Sequence, residues 1–105
     1  MIARLWHGWT TQQNADAYEV LLKAEILPGI AARKIAGCRG IELGRREVGS
    51  EVEFVTIMLF ENLDAVRQFA GADFETAVVP GKAQALLSRF DRKSAHYDVT
   101  AQLRF

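Results

Sequence analysis

Nine consecutive residues, Val52 to Phe60 (VEFVTIMLF), decide the fold because they form the strongest strand signal in the chain. Nearly all of them are β-branched, aromatic or long apolar residues, which favour a strand. Such a run is typical of a central strand that is covered on both faces. The segment Ile41 to Val48 alternates apolar and polar residues, and Gly49-Ser50 after it suits a hairpin turn. We therefore predict a hairpin whose second strand is buried.

The first part of the chain is predicted to be a strand followed by a helix. Ile2 to Trp9 is rich in aromatic and branched residues, and Thr10-Thr11 behind it can cap a helix. Apolar residues then follow helical spacing from Asn14 to Leu27. Pro28 disfavours the helical conformation in the residue before it, so we expect the helix to end or kink there. A further helical turn is expected in Gly29 to Ala36.

After the hairpin, the pattern predicts a split helical region and a last strand. Asn62 can cap a helix from Leu63 to Ala70, and Pro80 suits the first turn of another helix. The last strand is predicted over Arg92 to Gln102. The order β-α-β-β-α-β is typical of a ferredoxin-like α+β fold, with the first and third strands in the middle of a four-stranded antiparallel sheet. The second helix of the split region would carry Ala83, Leu86, Leu87 and Phe90.

The helices of such a fold cover only one face of the sheet. The other face would present valine, isoleucine, leucine and aromatic side chains with nothing in the chain left to cover them. A second copy of the chain is the natural cover, so we predict a homodimer. The balance of 13 Lys+Arg against 13 Asp+Glu sets no electrostatic obstacle to self-association.

The composition restricts the class of protein. With 105 residues, 50% of them apolar, the chain suits one domain spanning residues 1–105 with a real core. Its net charge of zero argues against nucleic acid and against an anionic membrane surface as partners. Cys38 is the sole cysteine, no apolar run is long enough to span a bilayer, and the first residues lack the order of a signal peptide. A cytoplasmic location is therefore expected.

Stretches throughout the chain carry a resemblance to a known family. They are Gly8-Trp9-Thr10, Gly40 to Arg46, Val52 to Thr56, Leu59 to Val66, Phe69-Ala70-Gly71, Ala77 to Pro80, Phe90-Asp91 and His96 to Val99. In them the sequence resembles the antibiotic-biosynthesis monooxygenase family of dimeric α/β barrels, over essentially its whole length. The resemblance implies ferredoxin-like subunits that pair into a dimeric α/β barrel, each with a pocket between sheet and helices.

The resemblance also implies candidate activities. Quinol oxygenases of the family work without a cofactor and use a polar residue, a tryptophan and an arginine in that pocket. Asn62 stands where the polar residue fits, and Val66 stands where the tryptophan is expected. Heme-degrading members carry a polar residue where His7 stands and a tryptophan where Phe60 stands. Their histidine ligand falls at Val78, which cannot ligate iron, so heme degradation is disfavoured.

Three residues are candidates for catalysis: His7, His96 and Asn62. A histidine titrates near neutral pH and could take a proton from a phenol or quinol. The first and last strands pair in this fold, so His7 and His96 lie close together if they share a face. The alternative is a strand histidine that only hydrogen-bonds to backbone. Two histidines without a third ligand disfavour a metal site.

Six further residues are candidate ligand contacts: Trp6, Trp9, Tyr18, Phe54, Met58 and Phe60. The two tryptophans alternate to opposite faces of the first strand, and the last three residues share a face of the third strand, where they could line an apolar cavity. The Tyr18 hydroxyl needs a partner. Since all six could instead fill the core, more than one function remains open. The leading one is a cofactor-independent monooxygenase of a small electron-rich aromatic substrate, and the second is a non-catalytic small-ligand-binding or stress-responsive dimer. A heme-binding or heme-degrading protein is the third and least favoured.

Overall fold

Ten secondary-structure elements build the fold, and the computed structural model describes all residues from 1 to 105. They are β1 (Ile2–Thr11), α1 (Gln12–Leu21), a π-helical turn (Leu22–Ile26), α2 (Leu27–Ala32), β2 (Cys38–Val48), β3 (Glu51–Phe60), α3 (Leu63–Ala70), α4 (Gly81–Gln84), β4 (Arg89–Phe90) and β5 (Ala95–Asp98). None of the helices combines the length and the apolar character that crossing a bilayer requires.

The strands form one antiparallel sheet in the order β2-β3-β1-β4, and β5 also pairs with β1. The prediction of an α+β, ferredoxin-like fold with the first and third strands in the middle is confirmed. The β2–β3 hairpin turns at Gly49-Ser50 as predicted, and Gly49 has a φ of +61°, a conformation that glycine adopts without strain. β1 and β3 pair along their whole length, from Ile2 opposite Phe60 to Thr11 opposite Glu51.

The last strand is shorter than the predicted range of Arg92 to Gln102, because β5 covers only Ala95–Asp98. A second short strand, β4, precedes that range, and both strands pair with β1 at the edge of the sheet. Asp91 lies between them, where its carboxylate accepts hydrogen bonds from the backbone N–H and from Nδ1 of His7. Phe90, predicted to lie on a helix, belongs to β4, because α4 ends at Gln84.

The helical run that begins after β1 passes through Pro28 instead of ending there. The residues just before Pro28 form the π-helical turn, in which the N–H of Leu27 donates to the carbonyl of Leu22. Proline lacks an N–H and clashes with the carbonyl four residues earlier, and a wider turn relieves both problems. The chain therefore stays helical to Ala32, and the interruption that we predicted takes the form of a π turn.

Side chains of β1 and β3 alternate between two faces of the sheet. The buried members of both strands lie beneath the helices, and they include Val52, Phe54, Met58 and Phe60. The opposite face, here called the open face, carries half-buried residues of the central strands: Ala3, Leu5, His7, Trp9, Val55, Ile57 and Leu59. The prediction that the third strand is covered on both faces therefore holds for only one face within a single chain.

Candidate functional site

The buried core is divided into two clusters with a cavity between them. The first cluster centres on Phe60, Val66 and Phe69, and the second on Tyr18, Phe54 and Val52. The cavity between them has a volume of about 60 Å³, enough for a few water molecules. Most of its lining is apolar. The lining residues are Arg4, Trp6, Tyr18, Leu22, Ile26, Leu27, Ile30, Ile41, Thr56, Met58, Phe69, Val78, Val79, Pro80, Ala83 and Ser94.

Arg4 is the one charged residue in the cavity wall, and it is 3% exposed. The alternation of β1 directs its side chain beneath the helices, where no carboxylate pairs with it. Its Nη1 donates to the carbonyl of Phe74, and its Nη2 lies 3.4 Å from the carbonyl of Thr76. The guanidinium carbon also lies 5.4 Å from the ring centroid of Phe69. Burial lowers the pKa of Arg4, but an arginine remains charged in proteins.

His96 on β5 accepts a hydrogen bond from the side chain of Arg4. Arg4 and His96 are cross-strand partners, and Nη1 of Arg4 lies 2.8 Å from Nε2 of His96. Because Arg4 can only donate, Nε2 must be the unprotonated acceptor. Burial lowers the pKa of His96, and the nearby charge of Arg4 lowers it further, so the neutral imidazole is favoured. The ring does not line the cavity, so His96 acts on it only through Arg4.

We expect His96 to make the protein less stable in mild acid. The pKa of His96 is lower in the folded chain than its ordinary value of 6.5, so over the range just below pH 6.5 the unfolded chain binds more protons. The free energy of unfolding should therefore fall as the pH drops through that range. In His96→Gln, whose amide oxygen can accept from Arg4, this dependence should flatten. Urea unfolding at several pH values measures it, and an unchanged slope in the variant would refute the assignment.

Trp6 and Tyr18 are the two cavity-lining aromatic residues that carry a polar donor, and only the donor of Tyr18 is free. Nε1 of Trp6 donates to the carbonyl of Asp91 over 2.9 Å, which holds the indole against the cavity. The Tyr18 ring is buried edge-on against Phe54, with 4.8 Å between centroids, and its hydroxyl has no hydrogen-bond partner in the protein. Burial raises the pKa of Tyr18 well above its usual range, so the hydroxyl stays neutral and can donate to a ligand.

Three of the six predicted ligand contacts line the cavity, namely Trp6, Tyr18 and Met58. Phe54 and Phe60 share the face of Met58, as predicted, but they are fully buried in the two core clusters and do not reach the cavity. Trp9 lies on the open face, opposite to Trp6, as the alternation of the two tryptophans predicts. Phe54, Phe60 and Trp9 thus lie outside the wall of this cavity, and their contact with a ligand stays a prediction.

His7 lies on the open face and cannot reach the cavity of its own chain. Its Nδ1 is 2.9 Å from the Asp91 carboxylate, and its ring stacks on Trp9 with 6.0 Å between centroids. The guanidinium carbon of Arg89 lies over the Trp9 ring, 3.9 Å from its centroid. His96 points to the opposite face of the sheet, so the two histidines do not form a shared site. No group of three histidine, cysteine or acidic side chains is arranged to hold a metal ion.

Asn62 caps a helix and does not line the cavity. Its Oδ1 accepts a hydrogen bond of 2.9 Å from the backbone N–H of Ala65 at the start of α3. The prediction that Asn62 caps the helix is confirmed. Asn62 does not line the cavity, and its catalytic role stays a prediction.

Replacing Asn62 by alanine should lower the free energy of unfolding by about 1 kcal/mol without changing ligand binding. The reason is that an exposed helix N-terminus loses its side-chain acceptor. Thr11→Ala is a matched control, because Thr11 caps α1 in the same way by accepting from Asn14. Urea unfolding should give similar losses for both variants. A selective loss of activity in Asn62→Ala at unchanged stability would instead support a catalytic role.

Arg4 is the site residue that sequence reasoning missed. One signal was present: Arg4 has the same parity as Ile2, Trp6 and Thr10, so the alternation of β1 places it on the helix-covered face. A charged residue at such a position is rarely buried without a reason. The residues of 74–79 that complete its surroundings gave no comparable signal, because most of them lie outside any regular element.

These features define a ferredoxin-like α+β chain with a small apolar cavity between sheet and helices, and comparison with solved structures places it among proteins of that fold. A Bacillus cereus protein provisionally named an antibiotic biosynthesis monooxygenase is similar, with a TM-score of 0.68, 12% identity, and 99% of this chain and 97% of that chain covered. The Rv0793 protein of Mycobacterium tuberculosis is similar with a TM-score of 0.65, 18% identity and 98% of both chains covered. No protein-family model matches the sequence, and no curated protein sequence matches it.

Proposed function

We propose that the chain is a monooxygenase of the antibiotic-biosynthesis type that oxidises a small, electron-rich phenol or quinol in the cavity between sheet and helices. The cavity itself carries the proposal, because its wall is apolar and offers unpartnered donors of Arg4 and Tyr18. Its volume of about 60 Å³ is smaller than an aromatic ring needs, so we propose that the lining side chains move apart when the substrate binds. Sites of this composition are typical of small-molecule binding. The name of the Bacillus cereus structural neighbour and the sequence resemblance support the same activity.

The chemistry that fits this cavity uses the substrate as its own electron donor. A phenolate ring with a free position reacts with dioxygen, a carbon–oxygen bond forms at that position, and loss of water leaves a quinone. One oxygen atom enters the product and the other leaves as water, so no outside reductant is consumed. The protein contributes positioning of the ring and exclusion of bulk water. We propose that neither an organic cofactor nor a metal takes part.

The proposed working form is a homodimer in the cytoplasm. The open face carries a continuous strip of half-buried apolar side chains on its two central strands, with Leu5 directly opposite Ile57. A strip of this kind in a short chain with zero net charge favours cover by a second copy. Pairing through this face would place the His7–Asp91 pair and Trp9 near the interface. The single free Cys38 is in keeping with a reducing compartment.

Oxygen uptake tests the proposed activity. Purified protein is given a panel of phenols and hydroquinones with isotopically labelled dioxygen, and we expect one labelled atom in the quinone product. Ala83→Leu, which fills the cavity at a position 2% exposed, should abolish this uptake, whereas Ala85→Leu on the exposed surface nearby should not. Uptake that is absent with every substrate, or equal in both variants, would contradict the proposal.

A second candidate function is binding of a small ligand without turnover. The observation that favours it is the lack of an imidazole or carboxylate in the cavity wall, where a protein base would stand. Saturable binding of phenols by a protein that consumes no oxygen would select this function over the monooxygenase.

A further inference from the structure

We propose that Arg4 makes the cavity an oxyanion site, so that its ligand is a small apolar ring carrying a single phenolate or carboxylate group. This inference deepens the proposed function and rests on it in one respect, that the cavity is where the substrate binds. It adds the charge of the substrate and the residue that recognises it.

The first argument is that the charge of Arg4 has no counter-charge. Arg4 is 3% exposed, and no carboxylate lies within ion-pair distance of its guanidinium. Its protein partners are the carbonyls of Phe74 and Thr76 and the imidazole of His96, all of them neutral acceptors. A buried cation without an anion is costly to maintain, and an anionic ligand would supply what is missing.

The second argument concerns the donors that remain. An arginine has five N–H donors, and three contacts of Arg4 use its Nη1 and Nη2 atoms. Its Nε–H has no partner in the protein, and Arg4 belongs to the cavity wall. The Tyr18 hydroxyl in the same wall is also without a partner. The cavity wall therefore offers the cation of Arg4 and the neutral donor of Tyr18, and it contains no carboxylate that would repel an anion. Such a wall suits an oxyanion.

The third argument concerns how Arg4 is held. Its guanidinium donates to a backbone carbonyl and to His96 on the neighbouring strand β5. It also lies against the Phe69 ring. Such a fixed guanidinium loses little side-chain entropy when a ligand binds. It also removes the need for a protein base, because a cation beside the bound hydroxyl favours the phenolate and the proton can leave to water. His96 is thus a positioning residue for Arg4.

Two ligand pairs test the proposal on the full-length protein. Benzoate and benzyl alcohol have similar rings but differ in charge, and their affinities are measured by calorimetry. For 4-nitrophenol, the absorbance shows whether the bound molecule is the phenol or the phenolate. The variants are Arg4→Met, which removes the charge at similar volume, and Arg4→Lys, which keeps it. Arg33→Met is the matched control, because Arg33 also donates to backbone carbonyls and lies 5.4 Å from the Phe69 centroid, but outside the cavity.

We expect wild type to bind benzoate at least about tenfold more tightly than benzyl alcohol, since a charged hydrogen bond is lost in the neutral ligand. Arg4→Met should erase this preference, Arg4→Lys should retain part of it, and Arg33→Met should leave it unchanged. Bound 4-nitrophenol should be the phenolate at a pH where the free molecule is mostly protonated. Binding of only one of the two probes identifies the oxyanion as carboxylate or phenolate, and either supports the proposal.

Equal affinity of wild type for benzoate and benzyl alcohol, together with bound 4-nitrophenol that stays protonated, would overturn the proposal, and these measurements need no variant to fold. So would a preference that survives in Arg4→Met. The oxygen-uptake result separates this inference from the proposed function. A preference for the anion without any oxygen uptake leaves the oxyanion site standing and removes the monooxygenase, whereas uptake without the preference removes the oxyanion site alone.

Discussion

Replacing Ile57 by aspartate is expected to convert the proposed homodimer into a folded monomer. Ile57 lies at the middle of the open face and pairs across the strands with Leu5. In a two-fold symmetric interface each substitution occurs twice, and burial of an unpaired carboxylate costs several kcal/mol. The dimer should therefore dissociate at least about 1000-fold more readily. Sedimentation of wild type and variant at the same concentration measures the change.

Val20→Asp is the matched control for this experiment. Val20 is also β-branched and apolar, but it lies 64% exposed on the outer side of α1, away from the sheet. This variant should sediment as a dimer, like wild type. A wild-type protein that is monomeric at tens of micromolar, or an Ile57→Asp variant that remains dimeric, would show that the open face is not the interface.

Replacing Phe60 by alanine is expected to lower the free energy of unfolding by about 3–5 kcal/mol. Phe60 is fully buried and packs against Phe69, with 5.9 Å between ring centroids. The cavity left behind would be enclosed by Met58 and Val66 of the same cluster, which limits collapse around it. Because a small domain is stable by only about 5–15 kcal/mol, much of its stability would be lost.

Phe105→Ala controls for the chemical change itself, because Phe105 is fully exposed at the end of the chain. We expect its effect to stay within about 0.5 kcal/mol. Urea unfolding compares the two variants. A small loss in Phe60→Ala together with a large loss of ligand affinity would mean that Phe60 contacts the ligand after all, contrary to its place in the core.

The central sheet could be predicted because its signals are local. The run from Val52 to Phe60, the turn at Gly49-Ser50 and the aromatic strand before Thr10 each depend on neighbouring residues, and all three are in the structure. The edge could not be predicted in the same way. At this edge Asp91, between β4 and β5, accepts hydrogen bonds from His7, which is distant in sequence, and alternation within 92–102 contains no trace of that contact.

The candidate site was predicted in part for the same reason. Residue type and parity were enough to place Trp6, Tyr18 and Met58 beneath the helices, where they line the cavity. Residue type alone favoured His7 as a base, but the parity of β1 puts it on the open face. Arg4 is a candidate anion-binding residue because no carboxylate lies near it in the folded chain. A local sequence pattern cannot predict that such a partner is missing in space.

The two tryptophans allow the position of the ligand to be measured without a complex structure. They are the only tryptophans in the chain, and they lie on opposite faces of β1, with Trp6 in the cavity wall and Trp9 on the open face. An iodinated benzoate quenches tryptophan fluorescence only on close contact. In Trp9→Phe, where Trp6 alone emits, we predict quenching that saturates with ligand concentration, and in Trp6→Phe we predict none that saturates. Saturable quenching of Trp9 alone would place the ligand on the open face and contradict the cavity as the binding site.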